Sequence, residues 1–272
     1  MTRQELLVPA SIIIAVAAHK QYRMPDDSIY LPIHVGAAIH SDVLQGMTGD
    51  NTGINISKRN NSYSELTALY WIWKNTSSEY KGLVHYRRHF GTRSAVRFIT
   101  QDRFKRIILS KELQEILKEN DVIVAKKRNY YIETVSSHYS HTFTPKHLEV
   151  ARKILVENYA PFVPAFDKVM MSRSAHMFNM FIMKNNIFDN YCTFLFPFLR
   201  RLETELGYAN LDAFQSRYPG RVSEMLLDVW LITTKLKFTE LPVINTEPVD
   251  WPKKGASFLM AKFKKKGYTK SF

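Results

Sequence analysis

Three short apolar runs, each ending in positive charge, constrain this chain more than any other feature. Ser11-Ile12-Ile13-Ile14-Ala15-Val16-Ala17-Ala18 shows no polar alternation and is rich in β-branched residues. That is the pattern of a strand buried on both faces. Gly82-Leu83-Val84 and Asp121-Val122-Ile123-Val124-Ala125 repeat it in shorter form. Runs of this length suit strands better than helices, and strands covered on both faces imply an α/β architecture. The runs are followed by His19-Lys20, by His85-Tyr86-Arg87-Arg88 and by Lys126-Lys127-Arg128. Ligands of open α/β sheets bind beyond the carboxyl ends of the strands. If the three strands are parallel and adjacent, one sheet edge is an anion site. The fork-shaped guanidinium groups of Arg87 and Arg88 suit a diphosphate, although side chains of successive strand residues point to opposite faces. The competing explanation is that loops of a basic protein are basic everywhere.

That protein is basic: 38 Lys and Arg stand against 25 Asp and Glu in 272 residues, a net charge of +13. Such an excess favours a polyanionic partner, whether nucleic acid, an anionic membrane face or phosphorylated substrates. A single cysteine, Cys192, excludes an intrachain disulfide framework and a Cys-rich zinc site, so a reducing cytoplasm is expected. Residues 10 to 18 loosely resemble a signal-peptide core, but Glu5 and Pro9 argue against that reading. No run approaches the roughly 20 apolar residues of a membrane span. The tail, Lys253-Lys254 and Lys262 to Lys270, alternates lysine with Phe and Tyr, which suits peripheral contact with an anionic bilayer.

Between the strands, residues 22 to 36 form a loop-rich excursion, and residues 45 to 55 are a turn cluster containing Asp50 and Asn55. A structureless loop of that length is more often functional than idle. Ser62 and Glu65 have capping-box spacing before a helix whose face carries Leu66, Leu69, Tyr70 and Trp73. Ser110 is positioned to cap a helix bearing Leu113, Ile116 and Leu117. His138 and His141, three apart, permit metal ligation on a helical turn, but no third ligand stands beside them. Residues 176 to 184 have the character of a methionine-rich strand, and Ile187 to Leu206 that of a long helix bent at Pro197 and stopped by Gly207. Glu224, at the start of a later helix, either complements the helix dipole or is presented for general-base work. There is no Walker A spacing, no Gly-x-Gly-x-x-Gly, no Cys/His zinc pattern and no Asp-x-Asp.

A family resemblance rests on these residues in combination. It is carried by Ala17-Ala18-His19-Lys20, Tyr22, Met24-Pro25 and Tyr30-Leu31-Pro32-Ile33-His34-Val35-Gly36. It continues through Asn55-Ile56-Ser57, Glu65-Leu66-Thr67, Tyr70-Trp71, Trp73-Lys74-Asn75 and Gly82 to Phe90. His138-Tyr139, Asn179 to Met183 and Ser223-Glu224 complete it, so that it spans roughly residues 10 to 266. The chain resembles the bacterial capsular and exopolysaccharide glycosyltransferase family long catalogued as a domain of unknown function.

The resemblance implies a GT-A-like, Rossmann-type mixed sheet flanked by helices, with a helix-rich C-terminal half. It implies one domain: about 1–130 for the nucleotide sugar, about 131–250 for the acceptor, and 251–272 as a basic tail. The implied reaction moves a sugar from a nucleotide-sugar donor, UDP-galactofuranose being one candidate, to a lipid-linked glycan at the cytoplasmic membrane face. The family usually has Asp where this chain has Ile54. With no Asp-x-Asp either, diphosphate binding without a metal is favoured, manganese or magnesium being the alternative.

Donor contacts are expected from His19, Lys20, His85, Tyr86, Arg87 and Arg88. Base candidates are Glu224, Asp50 and His138, in falling order, and Asn55, Tyr139 and Asn179 are expected to line the acceptor or sugar pocket. The rival functions are a non-enzymatic nucleic-acid-binding protein, suggested by interleaved charge and aromatics, and a lectin-like module for anionic glycans. The glycosyltransferase reading expects no nucleic-acid partner.

Overall fold

The computed structural model describes residues 11–40 and 44–248. The basic tail therefore lies outside the described residues. In chain order the elements begin with β1 (Ile12–Ala18), β2 (Tyr30–His34), β3 (Thr48–Gly49), α1 (Asn60–Tyr63) and α2 (Leu66–Asn75). Next come β4 (Tyr80–His85), β5 (Arg88–Phe90), α3 (Ala95–Phe98), α4 (Ser110–Leu117), β6 (Val122–Ala125) and β7 (Arg128–Asn129). Then follow α5 (Val135–Ser140), α6 (Lys146–Asn158), α7 (Val163–Met171), β8 (Ser174–Ala175) and β9 (Phe181–Lys184). The last are α8 (Asn185–Leu206), α9 (Tyr218–Thr234), β10 (Thr239–Leu241) and β11 (Val243–Asn245).

Among the described residues the main sheet runs β10-β6-β9-β4-β1-β2-β3, with β5 and β11 paired off its path. β1 pairs in parallel with β2 and β4, and β6 with β10, while β9 runs antiparallel to both β4 and β6. The sheet is thus mixed and flanked by helices, as expected. The condition on the basic strand ends is met in part. β1 and β4 are parallel neighbours, but β9 stands between β4 and β6.

The alternation of side chains along a strand divides the core in two. Ala15, Ala17, Leu83, Val122, Val124, Phe181 and Met183 face a thick layer built from α2 and α5 to α9. Ile12, Ile14, Val16, Val84, Ile123 and Ile182 face the other side, where Ile107, Ile108 and the apolar side of α4 cover them. The helix-rich second half of the chain lies almost wholly on the first face. Behind that layer, buried Glu203 accepts from Arg59 at 2.6 Å and from Tyr63 at 2.7 Å, tying α8 to the segment before α2.

Several local expectations are corrected. The Ser62–Glu65 capping box does not form, because Ser64 takes a positive φ of 51° and splits the segment into α1 and α2. Glu65 instead becomes the residue before α2, with no side-chain cap. Ser110 does not cap α4 but begins it, its backbone N–H donating to Asp27 at 2.8 Å. The turn cluster at 45 to 55 contributes the short strand β3 beside β2. The strand expected from residue 176 starts only at Phe181, since Phe178 and Asn179 have φ of 80° and 52° and cannot continue a ladder.

Gly82 sets how closely β9 approaches β4. A Cβ at this position would lie 2.8 Å from both the Phe181 carbonyl oxygen and Ile182 Cγ1. Backbone cannot yield as a flexible side chain can, so Gly82→Ala should destabilise the domain by about 1–3 kcal/mol. The measurement is the urea midpoint at constant m-value; an unchanged midpoint would show that the strand pair has slack.

Candidate active site

The carboxyl ends of β1 and β4 and the residues entering β9 converge on one edge of the sheet, where α2 and α9 begin. β4 ends at His85, and Tyr86-Arg87 form a two-residue turn before Arg88 opens β5 opposite His85. The turn sends the two arginines different ways. Arg87 is exposed, ion-pairs with Glu247 at 3.2 Å and lies over the Tyr86 ring. Arg88 turns inward over the Phe178 ring, 4.5 Å from its centroid.

The inner group is built on Asn179. Its Nδ2 donates to Glu65 Oε1 at 2.6 Å, and its Oδ1 lies 3.0 Å from Ser223 Oγ. It thereby joins the approach to β9, the start of α2 and the first turns of α9. The left-handed backbone of Phe178 and Asn179 makes this possible. Such strain persists only where surrounding structure enforces it. His85 Nε2 donates to the Phe178 carbonyl at 2.5 Å, which fixes the imidazole tautomer. Burial pushes His85 below the usual imidazole value, against the pull of Glu65.

Arg221 Nη1 donates to Glu224 Oε1 at 2.8 Å, and Arg217 Nε lies 3.2 Å from Ser64 Oγ. Three guanidinium groups, of Arg88, Arg217 and Arg221, thus share the carboxylates of Glu65 and Glu224. Burial, and then Arg87, hold Arg88 below its ordinary pKa despite Glu224, while burial and Arg221 do the same to Arg217. Arg221 is raised: burial opposes its charge, but Glu224 and Glu65 outweigh burial. The group is cation-rich and partly desolvated, a setting in which an incoming anion is strongly favoured. Arg217 and Arg221 also stand at the N-terminal end of α9, where the helix dipole disfavours cations and favours anions.

Beside this group is an outer aromatic-basic box. The rings of His19 and Tyr22 meet the Tyr86 ring edge-on at 5.2 and 5.0 Å, and Lys20 Nζ lies 5.6 Å from its centroid. Burial, then Arg87 and Lys20, lower the His19 pKa.

The remaining sequence candidates fall elsewhere. Asp50 is fully buried and accepts from the backbone N–H of Gly36 at 2.9 Å and of Ala37 at 3.0 Å, and from the Ser57 hydroxyl. Asn55 donates to the carbonyls of Asn51 and Gly53 and accepts from Ser57 N–H, bracing the same loop. Ile54 is 61% exposed, with its backbone clamped by Asn75. His138 and His141 both face Glu133, at 3.1 and 2.8 Å. His138 sits behind Tyr130, one layer out from Glu224. Tyr139 is buried with its hydroxyl 2.9 Å from His147 Nδ1, and Arg221 and Glu224 both act on it electrostatically. Lys126 to Arg128 follow β6, and Arg128 stacks on Tyr130. Among the described residues no group of three or more His, Cys, Asp and Glu has the geometry to hold a metal ion.

The sequence candidates did not include Glu65, Arg217 or Arg221. Glu65 has the spacing of a capping residue, which accounts for it locally. The signal for the arginines was their place at the start of a helix, against the dipole.

A search of solved structures finds similarity to a chain described as the apo structure of the bifunctional glycosyltransferase WbbM, with a TM-score of 0.78 and 28% identity. The match covers 86% of this chain and 45% of that one, so this chain spans less than half of its structural relative. The architecture is that of a GT-A-like glycosyltransferase fold. No curated protein sequence matched. The model of the family described as a domain of unknown function, DUF4422, matches residues 13–235. The chain belongs to that family.

Proposed function

We propose that this chain is a glycosyltransferase domain that takes its sugar from a nucleotide-sugar donor. The observation that carries the reading is the set of three partly buried arginines, 88, 217 and 221, gathered at the carboxyl edge of β1 and β4. Its resemblance to WbbM, itself described as a glycosyltransferase, supports the same reading. The donor's diphosphate lies against Arg88, Arg217 and Arg221 with His19 on its outer side, and its nucleoside reaches towards Lys20, Tyr86 and Arg87. As the bond from the anomeric carbon to the diphosphate oxygen breaks, negative charge grows on the leaving group. Fixed cations in a partly desolvated site stabilise that charge with little reorganisation.

Glu224 is the base that takes the acceptor hydroxyl's proton as its oxygen bonds to the anomeric carbon. Its Oε1 is held by Arg221, which leaves Oε2 for the hydroxyl. Asp50, with both oxygens engaged by the loop around Gly36, braces that loop. Asn179 and Glu65 position the first turns of α9, and Tyr139 with His138 line the acceptor side. The finer reading is a UDP-linked donor, UDP-galactofuranose among the candidates. The acceptor is a lipid-linked glycan of capsular or exopolysaccharide synthesis, met at the cytoplasmic membrane face.

A thermal-shift screen against UDP-, GDP-, CMP- and dTDP-sugars, with and without manganese, identifies the donor by ligand linkage. Arg88→Ala should weaken binding of the selected donor about tenfold or more, the loss of a charge-assisted contact. Arg87→Ala should cost less, because Arg87 is exposed and already paired. Unchanged affinity in the Arg88 variant would remove the diphosphate from this site. Glu224→Gln should lower kcat about 100-fold or more while leaving donor affinity within a few-fold; parallel loss of both would make Glu224 a binding residue instead.

The lowered pKa of His19 gives a pH dependence. A bound diphosphate favours the imidazolium, so binding takes up a proton, and affinity rises as pH falls. Between pH about 7.5 and 5.5 the gain is at most about tenfold per unit for one group. A UDP-sugar suits the titration, since its diphosphate does not itself change charge in that range. His19→Gln should flatten the profile; a flat wild-type profile places His19 away from the diphosphate.

A further inference from the structure

The segment around α3 holds three large apolar side chains in solvent: Val96 is 75%, Phe98 41% and Ile99 78% exposed. The segment is firmly pinned. Ser94 caps α3, Arg97 ion-pairs with Glu112 at 3.1 Å and donates to the Lys105 carbonyl, and Arg106 donates to the Thr100 carbonyl at 2.7 Å. A rigid base that presents apolar groups to water points to a partner surface.

Charge identifies the partner. Residues 93–106 contain five Arg and Lys side chains, of which Arg97 is paired with Glu112, and one acidic residue, Asp102, which Arg23 neutralises at 3.0 Å. The end of the described chain lies on the same face: Arg103 Nη1 donates to the carbonyls of Asn245 at 3.0 Å and Glu247 at 2.9 Å. In sequence, residues 249–272 follow directly. Beyond Asp250 they carry seven lysines and no acidic side chain, interleaved with Trp251, Phe258, Phe263, Tyr268 and Phe272. Apolar groups flanked by cations match the interface of an anionic bilayer, where acyl chains receive the former and lipid phosphates the latter.

We propose that the α3 face, with Val96, Phe98 and Ile99 at its centre, docks the protein on an anionic lipid bilayer. The face adjoins the candidate site: Phe104 packs against Tyr22 at 6.3 Å, and Tyr22 against Tyr86 at 5.0 Å. Docking there brings the crevice to a lipid-linked acceptor. That purpose rests on the proposed function, but the docking is read without any sugar transfer.

The test is co-sedimentation of the full chain with vesicles of phosphatidylcholine alone and of phosphatidylcholine with phosphatidylglycerol. The wild type should pellet with the anionic vesicles only, and added salt should release it. Val96→Ser with Phe98→Ser and Ile99→Ser should lower partitioning about tenfold or more, in line with lost apolar insertion, with thermal unfolding and donor binding unchanged. Ile99→Trp, a gain-of-contact variant, should strengthen partitioning and shift its indole emission to the blue on anionic vesicles. Wild-type partitioning in the triple variant would overturn the proposal and leave the lysine-rich tail as the membrane contact. Absence of wild-type binding would overturn it too. So would a dimer in light scattering that the triple variant abolishes, since the face would then be covered by a second copy. Loss of donor binding with vesicle binding intact would instead fault the proposed function alone.

Discussion

The candidate site depends on the insertion of β9, antiparallel, between β4 and β6. Gly82 allows the close approach, because any side chain there would meet the backbone of Phe181. Once β9 is seated, its entering residues must arrive at the edge where β1 and β4 end. The positive φ values of Phe178 and Asn179 turn the chain into the ladder there. The Phe178 carbonyl then meets His85, and the Asn179 amide meets Glu65. Backbone strain, a histidine tautomer and a half-buried carboxylate contact are thus consequences of one strand's direction.

Charge is distributed around that edge in two shells. The inner group pairs three arginines with Glu65 and Glu224 in a setting that burial makes poorly solvated. The outer box exposes Lys20 and Arg87 beside the rings of His19, Tyr22 and Tyr86. Exposed cations attract and orient an anion at long range but contribute little once screened. Desolvated ones discriminate, because their charge is costly until a partner arrives. The division separates even the adjacent residues Arg87 and Arg88: a two-residue turn directs one to solvent and the other inward over Phe178.

Much of the fold was legible in the sequence. β1, β4 and β6 lie where continuous apolar runs placed them, because burial on both faces is written directly into composition. The long helix ending at Gly207 was legible from its apolar content and its stop signal; Gly207 has a φ of 64°. Where reading failed, a tertiary contact overrode a local preference. Ser62 and Glu65 have capping-box spacing, but Glu65 makes a better partner of Asn179, 114 residues away. The apolar stretch from His176 has strand composition, yet its first residues are bent into the site.

By itself, the sequence determined the strands β1, β4 and β6, their burial on both faces and that positive charge collects beyond the ends of β1 and β4. These follow from period and composition, which are properties of neighbours along the chain. It also supplied His19, Lys20, Arg88, Asn179 and Glu224 as candidates. Only the tertiary structure decided that Glu65, Arg217 and Arg221 join them, and that Asp50 and Asn55 turn into their own loop. Those placements depend on strand order, on the direction of β9 and on where α9 begins. Such contacts join residues separated by 41 and 114 positions, and no local pattern encodes them.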